Sequence, residues 1–66
     1  SNDSWLLCWT ADALTWMGEI QRSVVLMEHA IQVEPDNILN QFFMGDILIH
    51  AGRVEEGLKY VKDAFK

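Results

Sequence analysis

The sequence is poor in the residues on which cross-linked, collagen-like and membrane-spanning proteins depend. Its 66 residues include one cysteine, one proline and four glycines. A single cysteine excludes a disulfide framework and a multi-cysteine zinc site, and so little proline and glycine excludes a collagen-like chain. The longest stretch without a charged side chain, residues 37–45, has nine residues and is too short to cross a bilayer. We therefore expect no membrane-spanning segment.

Basic residues are scarce as well. Five lysines and arginines stand against ten aspartates and glutamates, which gives a net charge of −5. A negative surface repels phosphate groups, so we expect neither nucleic acid nor a membrane as a partner. Half of the residues are apolar and seven are aromatic, a composition that favours a packed core over disorder. A chain of this length predicts a single domain over residues 1–66.

The apolar residues recur at helical spacing in four segments. The positions separated by steps of three and four are Leu7, Ala11 and Leu14 in the first segment, Ile20, Val24, Met27 and Ile31 in the second, Ile38, Phe42, Gly45 and Ile49 in the third, and Val54, Leu58, Val61 and Phe65 in the fourth. In the third segment, Met44 and Leu48 form an adjoining apolar row. This spacing predicts helices near residues 4–17, 20–33, 37–51 and 54–65, and it predicts no strands.

The boundaries of these helices have identifiable causes. Gly18 and Gly52 each follow an apolar run, where a left-handed glycine ends a helix at little steric cost. Pro35 cannot continue the second helix, and Asp36 or Asn37 can then cap the third. Because the connections are short, successive helices are expected to pack as antiparallel hairpins.

The chain aligns with itself when Gly18 is placed on Gly52, and we call this displacement the repeat shift. The identical pairs are Asp12 with Asp46, Leu14 with Leu48, Gly18 with Gly52, and Ala30 with Ala64. Small residues also pair, Ala11 with Gly45 and Ser23 with Gly57. Because a small side chain lets two helices approach closely, this recurrence predicts that one helix crossing is repeated in the fold.

With these features the chain resembles the tetratricopeptide repeat (TPR) family, whose repeat is a helix–turn–helix of about 34 residues. The residues that match the family's pattern are Leu7, Thr10, Ala11 and Leu14 with Gln41, Met44, Gly45 and Leu48 in the A helices, and Ser23, Met27 and Ala30 with Gly57, Val61 and Ala64 in the B helices. Four of these residues depart from the family's usual choice. A large apolar residue is usual in place of Thr10 and an aromatic residue in place of Gln41, and Ser23 and Gly57 replace alanine.

The resemblance implies an all-α fold of two tandem helix–turn–helix hairpins, a fragment of an α-solenoid. The first repeat would span about residues 4–37 and the second about 38–66. The alternative is an unrelated fold of two helical hairpins.

In TPR arrays the A helices line a concave groove that holds a peptide or a helix. The resemblance places ten residues of this chain in that groove: Trp5, Cys8, Asp12, Thr15, Trp16, Leu39, Phe42, Asp46, Ile49 and His50. Chaperone-binding members of the family clamp a terminal carboxylate with Lys, Arg and Asn, but helices one and three contain neither Lys nor Arg. The groove instead suits an amphipathic segment with aliphatic anchors and a basic residue. Asp12 and Asp46 can equally be solvated residues of the groove wall.

Helix one contains all three tryptophans of the chain. Trp5, Trp9 and Trp16 cannot share a narrow stripe with Leu7 and Ala11, so the helix is apolar nearly all round. Such a helix is buried on several sides or contacts a partner. We expect Trp9 to pack internally, whereas Trp5 and Trp16 suit internal packing and partner contact equally.

No group of reactive side chains indicates an enzyme. Cys8 lies between apolar neighbours, which favours a small buried or groove-facing thiol over a nucleophile paired with His29 or His50. Neither histidine has a His or Cys three or four residues further on, so we expect no metal site. We expect no catalytic residue and no cofactor.

The sequence therefore predicts a non-catalytic protein–protein interaction module, with the lone thiol favouring the cytoplasm. Two alternatives stand beside it. Two repeats without a polar capping helix leave apolar ends, which suits a structural or self-association segment, as a homo-oligomer or within a longer helical-repeat protein. The related pentatricopeptide repeats read RNA, a function that the negative charge disfavours.

Overall fold

The structure is a computed structural model that describes residues 2–66. It contains four α-helices: α1 (Asn2–Trp16), α2 (Ile20–Val33), α3 (Ile38–His50) and α4 (Val54–Ala64). The described residues form no strand, so the prediction of an all-α fold with four helices is confirmed. None of these four helices is long and apolar enough to cross a membrane.

The two intra-hairpin turns have the same backbone structure. Gly18 and Gly52 both adopt left-handed conformations, with φ of 85° and 84°. In the first turn the N–H of Glu19 donates to the carbonyl of Leu14 at 2.8 Å, and the N–H of Gly18 donates to that of Thr15 at 3.0 Å. Both bonds recur in the second turn, at 2.9 and 3.1 Å. This pattern is the Schellman motif that glycine favours at helix ends.

The connection between α2 and α3 ends in a side-chain cap. Asn37 has an extended backbone, and its Oδ1 accepts a hydrogen bond from the N–H of Leu39 at 3.0 Å. Of the two residues expected to cap α3, Asn37 therefore does so. The cap satisfies one of the amides that a helix start leaves without an intrahelical partner.

The recurring small residues lie where the helices of each hairpin cross. In the first hairpin (α1 and α2), Ala11 and Ser23 are fully buried, and the Ser23 hydroxyl donates to the Ala11 carbonyl at 2.9 Å. In the second hairpin (α3 and α4), a Cβ added to Gly45 would lie 2.7 Å from the carbonyl oxygen of Gly57. The prediction of a repeated crossing at small residues is confirmed.

One core joins the two hairpins. Its buried members are Cys8, Ala11, Val24, Met27, Ala30, Met44, Ile47 and Leu48. The helix α3 packs against α1, α2 and α4, whereas the described backbone of α4 comes close to no helix but α3. The resulting body is flat, with principal extents of 29 × 28 × 14 Å. In such a thin arrangement, the other helices do not cover both broad sides of α1 and α3.

The buried side of α3 differs from the expected one. Of the predicted row, Gly45 is buried, but Ile38 is 58 % exposed and Phe42 is 42 % exposed. Asn40 and Met44 are buried instead, together with two apolar residues one turn further on. The adjoining apolar row, Met44 and Leu48, is thus the buried one. Asn40 was not expected inside because it is polar, and it enters the core with hydrogen-bond partners of its own.

Candidate partner-binding face

Three exposed tryptophans form a stripe along α1. Trp5, Trp9, Asp12 and Trp16 follow one another at steps of four, three and four residues, so they fall within about 60° of the helix circumference. We call these four residues the tryptophan stripe. The rings of Trp5 and Trp9 stack with their centroids 6.3 Å apart and their planes 21° apart. Trp16 is 85 % exposed.

The expectation that Trp9 packs internally is wrong. Its side chain is 61 % exposed and stacks on Trp5 instead. The core takes a different side of α1, through Cys8 and Ala11. The helical spacing that relates Trp9 and Trp16 to Trp5 could have indicated a shared face.

A matching stripe runs along α3. The repeat shift carries the four members of the tryptophan stripe onto Leu39, Phe43, Asp46 and His50, and we call these the α3 stripe. Phe43 is half-buried, and the other three are exposed. Leu39 and Phe43 line one narrow cleft of about 10 Å³ together with Trp5. The two stripes therefore meet, and we call them together the α1–α3 face.

The charges on the α1–α3 face are acidic. Neither residues 2–16 nor residues 38–50 contain a lysine or an arginine. Asp12 is half-buried and Asp46 is exposed. The ring of His50 is held near Asp46, with Nδ1 at 2.9 Å from the carbonyl oxygen and at 3.7 Å from carboxylate Oδ1. An apolar surface with aspartates at equivalent places is suited to basic and apolar groups of a partner.

Cys8, one of the predicted groove residues, lies beneath this face. It is buried, and its thiol donates to Oδ1 of Asn40 at 2.9 Å. Burial raises the pKa of the Cys8 thiol, and the negative charge of Glu34 adds to the effect. A buried, protonated thiol is a poor nucleophile and does not contact a partner from this position.

Asn40 is the residue that sequence analysis missed. Its Oδ1 accepts from the hydroxyl of Ser4 at 3.0 Å as well as from Cys8, and its Nδ2 donates to the carbonyl of Ala30 at 3.1 Å. These bonds join α1, α2 and α3 at a single side chain. Asn40 and Gln41 stand together as two polar residues between Leu39 and Phe42, and nothing in that arrangement singles out Asn40.

Three further predicted residues lie beside other elements. The Phe42 ring meets that of Phe65 edge to face, with the centroids 6.1 Å apart. Ile49 lies against Gly57, because a Cβ added to Gly57 would be 2.7 Å from Cγ1 of Ile49. The hydroxyl of Thr15 lies 2.9 Å from that of Ser23. Thr15 and Ile49 thus occupy the two hairpin crossings, and Phe42 lies toward the C-terminal end.

The part of the chain that the structure describes holds no group of three or more His, Cys, Asp or Glu side chains placed to bind a metal ion. Comparison with protein-family models, curated proteins and solved structures finds no match to this chain. A function therefore has to follow from the residues, distances and charges of the α1–α3 face.

Proposed function

We propose that this chain is a non-catalytic protein–protein interaction module that binds an amphipathic helical segment across the α1–α3 face. The observation that carries the proposal is the tryptophan stripe, in which three indole rings share one exposed side of α1. Tryptophan is enriched among the residues that dominate the free energy of protein association. Leaving three such rings in water is costly unless a partner covers them.

The charges of the face define the chemistry of the partner. Asp12 and Asp46 lie at equivalent places on α1 and α3, and neither helix carries a compensating lysine or arginine. A helical segment with aliphatic anchors on one side and Lys or Arg beside them complements both the apolar and the acidic parts.

We propose further that the module is of the TPR type. The alignment of the chain with itself under the repeat shift, the paired Schellman turns at Gly18 and Gly52 and the paired crossings at small residues support this assignment. In that family the corresponding helices line the peptide groove, which agrees with the position of the two stripes. A cytoplasmic location belongs to the same proposal and rests on the reduced thiol of Cys8.

Peptide titration tests the proposed partner chemistry directly. The probe is a synthetic amphipathic helix about as long as α1, with leucines on one side and lysines on the other, and its control replaces every lysine with glutamate. All three tryptophans of the chain lie on the α1–α3 face, so their fluorescence reports binding at that face. We expect the lysine peptide to bind at least about tenfold more tightly than the glutamate peptide.

Two matched pairs of variants locate the site. Trp16→Ala should weaken binding of the lysine peptide about 30-fold, as for an aromatic anchor, whereas Met17→Ala, at a neighbour that is also largely exposed, should leave it unchanged. Asp46→Lys should weaken it several-fold, whereas Asp36→Lys, the same change in the α2–α3 connection, should not. Equal losses within either pair, or equal binding of both peptides, would refute the proposal.

A further inference from the structure

The joint between the two hairpins is a built interface with two distinct sides. Hairpin one contributes the buried residues Ser4, Cys8, Val24, Met27 and Ala30. Hairpin two contributes the buried residues Asn40, Met44, Ile47 and Leu48. Each hairpin therefore buries one side at this joint. The other side of each hairpin corresponds, under the repeat shift, to the side that its neighbour buries, and these two remaining sides form the ends of the molecule.

The repeat shift identifies these two end faces. The N-terminal end face consists of Leu6, Thr10, Ala13 and Leu14, which correspond to the joint residues of hairpin two. The C-terminal end face consists of Ile38, Phe42, Leu58, Val61 and Phe65, which correspond to the joint residues of hairpin one and to Ile31. All nine are exposed or half-buried, with Leu6 at 65 % and Phe65 at 73 % exposed.

The end faces match each other in polarity. Inside the molecule, Asn40 forms hydrogen bonds with Ser4 and Cys8. The repeat shift replaces Asn40 with Leu6 and replaces its two partners with Ile38 and Phe42. The polar contact of Asn40 with Ser4 and Cys8 at the joint thus corresponds to a contact of Leu6 with Ile38 and Phe42 between the ends, in which all three side chains are apolar.

The end faces also match in volume. On the N-terminal end face, Thr10 and Ala13 are smaller than their counterparts at the joint, Met44 and Ile47. On the C-terminal end face the difference is reversed, since Phe65 is larger than its counterpart Ile31. Ile38 and Phe42 are likewise larger than their counterparts Ser4 and Cys8, so smaller residues on one end face meet larger residues on the other.

A groove lies next to the N-terminal end face, and Leu14 belongs to both. It has a volume of about 450 Å³, lies between α1 and α2, and is lined by Leu14, Gln21, Arg22, Val25 and Leu26. At the joint, α3 is the helix of hairpin two that packs against α2, and the counterpart of Leu14 there is the buried Leu48. The helix equivalent to α2 in the second hairpin is α4, whose outer side carries Leu58 and Phe65.

We propose that the C-terminal end face of one copy of this chain docks on the N-terminal end face of a second copy, head to tail. In this contact the same two sides of the hairpins meet as at the joint, so the stack of hairpins continues from one copy into the next. Residues 1–33, which include hairpin one, carry a net charge of −3, and residues 38–66, which form hairpin two, carry a net charge of 0, so head-to-tail docking brings less like charge together than docking of two N-terminal ends would. Because the two contacting faces differ, association extends beyond a dimer unless the ends close into a ring.

Sedimentation velocity of the chain over a series of concentrations tests the proposal. The expected result is a weight-average mass that rises with concentration past that of a dimer. Leu6→Lys and Phe65→Lys each place a charge in one end face, and each alone should weaken association at least about tenfold. Both side chains are largely exposed, so circular dichroism should show unchanged helix content. Trp9→Lys, on the α1–α3 face, should associate like the unmodified chain.

Mixing the two end-face variants distinguishes this arrangement from others. Leu6→Lys keeps an intact C-terminal end face and Phe65→Lys keeps an intact N-terminal end face, so the mixture should form a dimer and nothing larger. A monomer at all concentrations, a symmetric dimer of either variant alone, or loss of association in Trp9→Lys would overturn the proposal. Peptide binding at the α1–α3 face is unaffected by these outcomes, because the proposed docking does not depend on the proposed function.

Discussion

Gly45 and Gly57 bring the backbones of α3 and α4 into direct contact. A Cβ added to Gly57 would lie 2.6 Å from the carbonyl oxygen of Gly45, and the reverse addition would lie 2.7 Å from the carbonyl oxygen of Gly57. The obstructing atoms belong to the backbone, so no side-chain rearrangement can make room. The equivalent crossing of α1 and α2 holds Ala11 and Ser23, which both carry a Cβ.

Gly57→Ala should destabilise the fold by about 1–3 kcal/mol, because the added methyl group forces α3 and α4 apart. Alanine is the better helix former by about 1 kcal/mol, so the clash has to outweigh that gain. Urea unfolding followed by circular dichroism measures the difference. Lys59→Ala, at an exposed position of the same helix, should change the free energy of unfolding by no more than about 0.5 kcal/mol. Unchanged or increased stability of Gly57→Ala would contradict the close crossing.

Asn40→Asp should lower the free energy of unfolding by about 3 kcal/mol at neutral pH, because it buries a carboxylate and removes the donor to the Ala30 carbonyl. Burial raises the pKa of the introduced carboxyl above its value in the unfolded chain. The folded state then binds the proton more tightly, so the deficit relative to the unmodified chain should shrink as the pH falls. Gln32→Glu, the same chemical change at an exposed site on α2, provides the control.

Unfolding curves of both variants and of the unmodified chain, recorded at neutral and at mildly acidic pH, measure this effect. A deficit for Asn40→Asp that is small, or that grows on acidification, would show that the Asn40 side chain is not held in the core as described.

Cys8 should react slowly with iodoacetamide in the folded chain and quickly in urea, because burial raises the pKa of its thiol and covers the sulfur. The raised pKa also makes stability depend on pH. The contribution of the thiol to the free energy of unfolding is complete below the usual thiol pKa of about 8.5. It is lost as the pH rises through the raised pKa of the thiol in the folded chain. Cys8→Ser keeps a donor for Asn40 and should lack this alkaline loss. Equal alkylation rates in the folded and unfolded chain would contradict the burial of Cys8.

The local features of the fold could be predicted from the sequence. Gly18 and Gly52 mark helix ends because few other residues adopt a positive φ at low cost, and Asn37 caps a helix because its side chain imitates a backbone acceptor. The crossings at small residues followed from the pairing of small residues under the repeat shift. The turns and the cap depend on residues close together in the chain, and the crossings depend on small residues that recur under the repeat shift.

The features that were missed depend on which sides of the helices meet. Trp9 is apolar and was expected inside, but the core uses a different side of α1. Asn40 is polar and was not expected inside, but Ser4, Cys8 and Ala30 supply its hydrogen-bond partners from two other helices. Composition and periodicity within one segment contain no information about such distant partners.

The amide of Asn40 also restricts how the two hairpins can be aligned. Sliding one hairpin past the other by a single helical turn would separate this amide from Ser4, Cys8 and Ala30 and leave it surrounded by methyl and methylene groups. A core of aliphatic side chains alone tolerates such slippage far better, since one hydrocarbon contact can replace another. One polar side chain thereby selects a single register from several that would be nearly equal in energy.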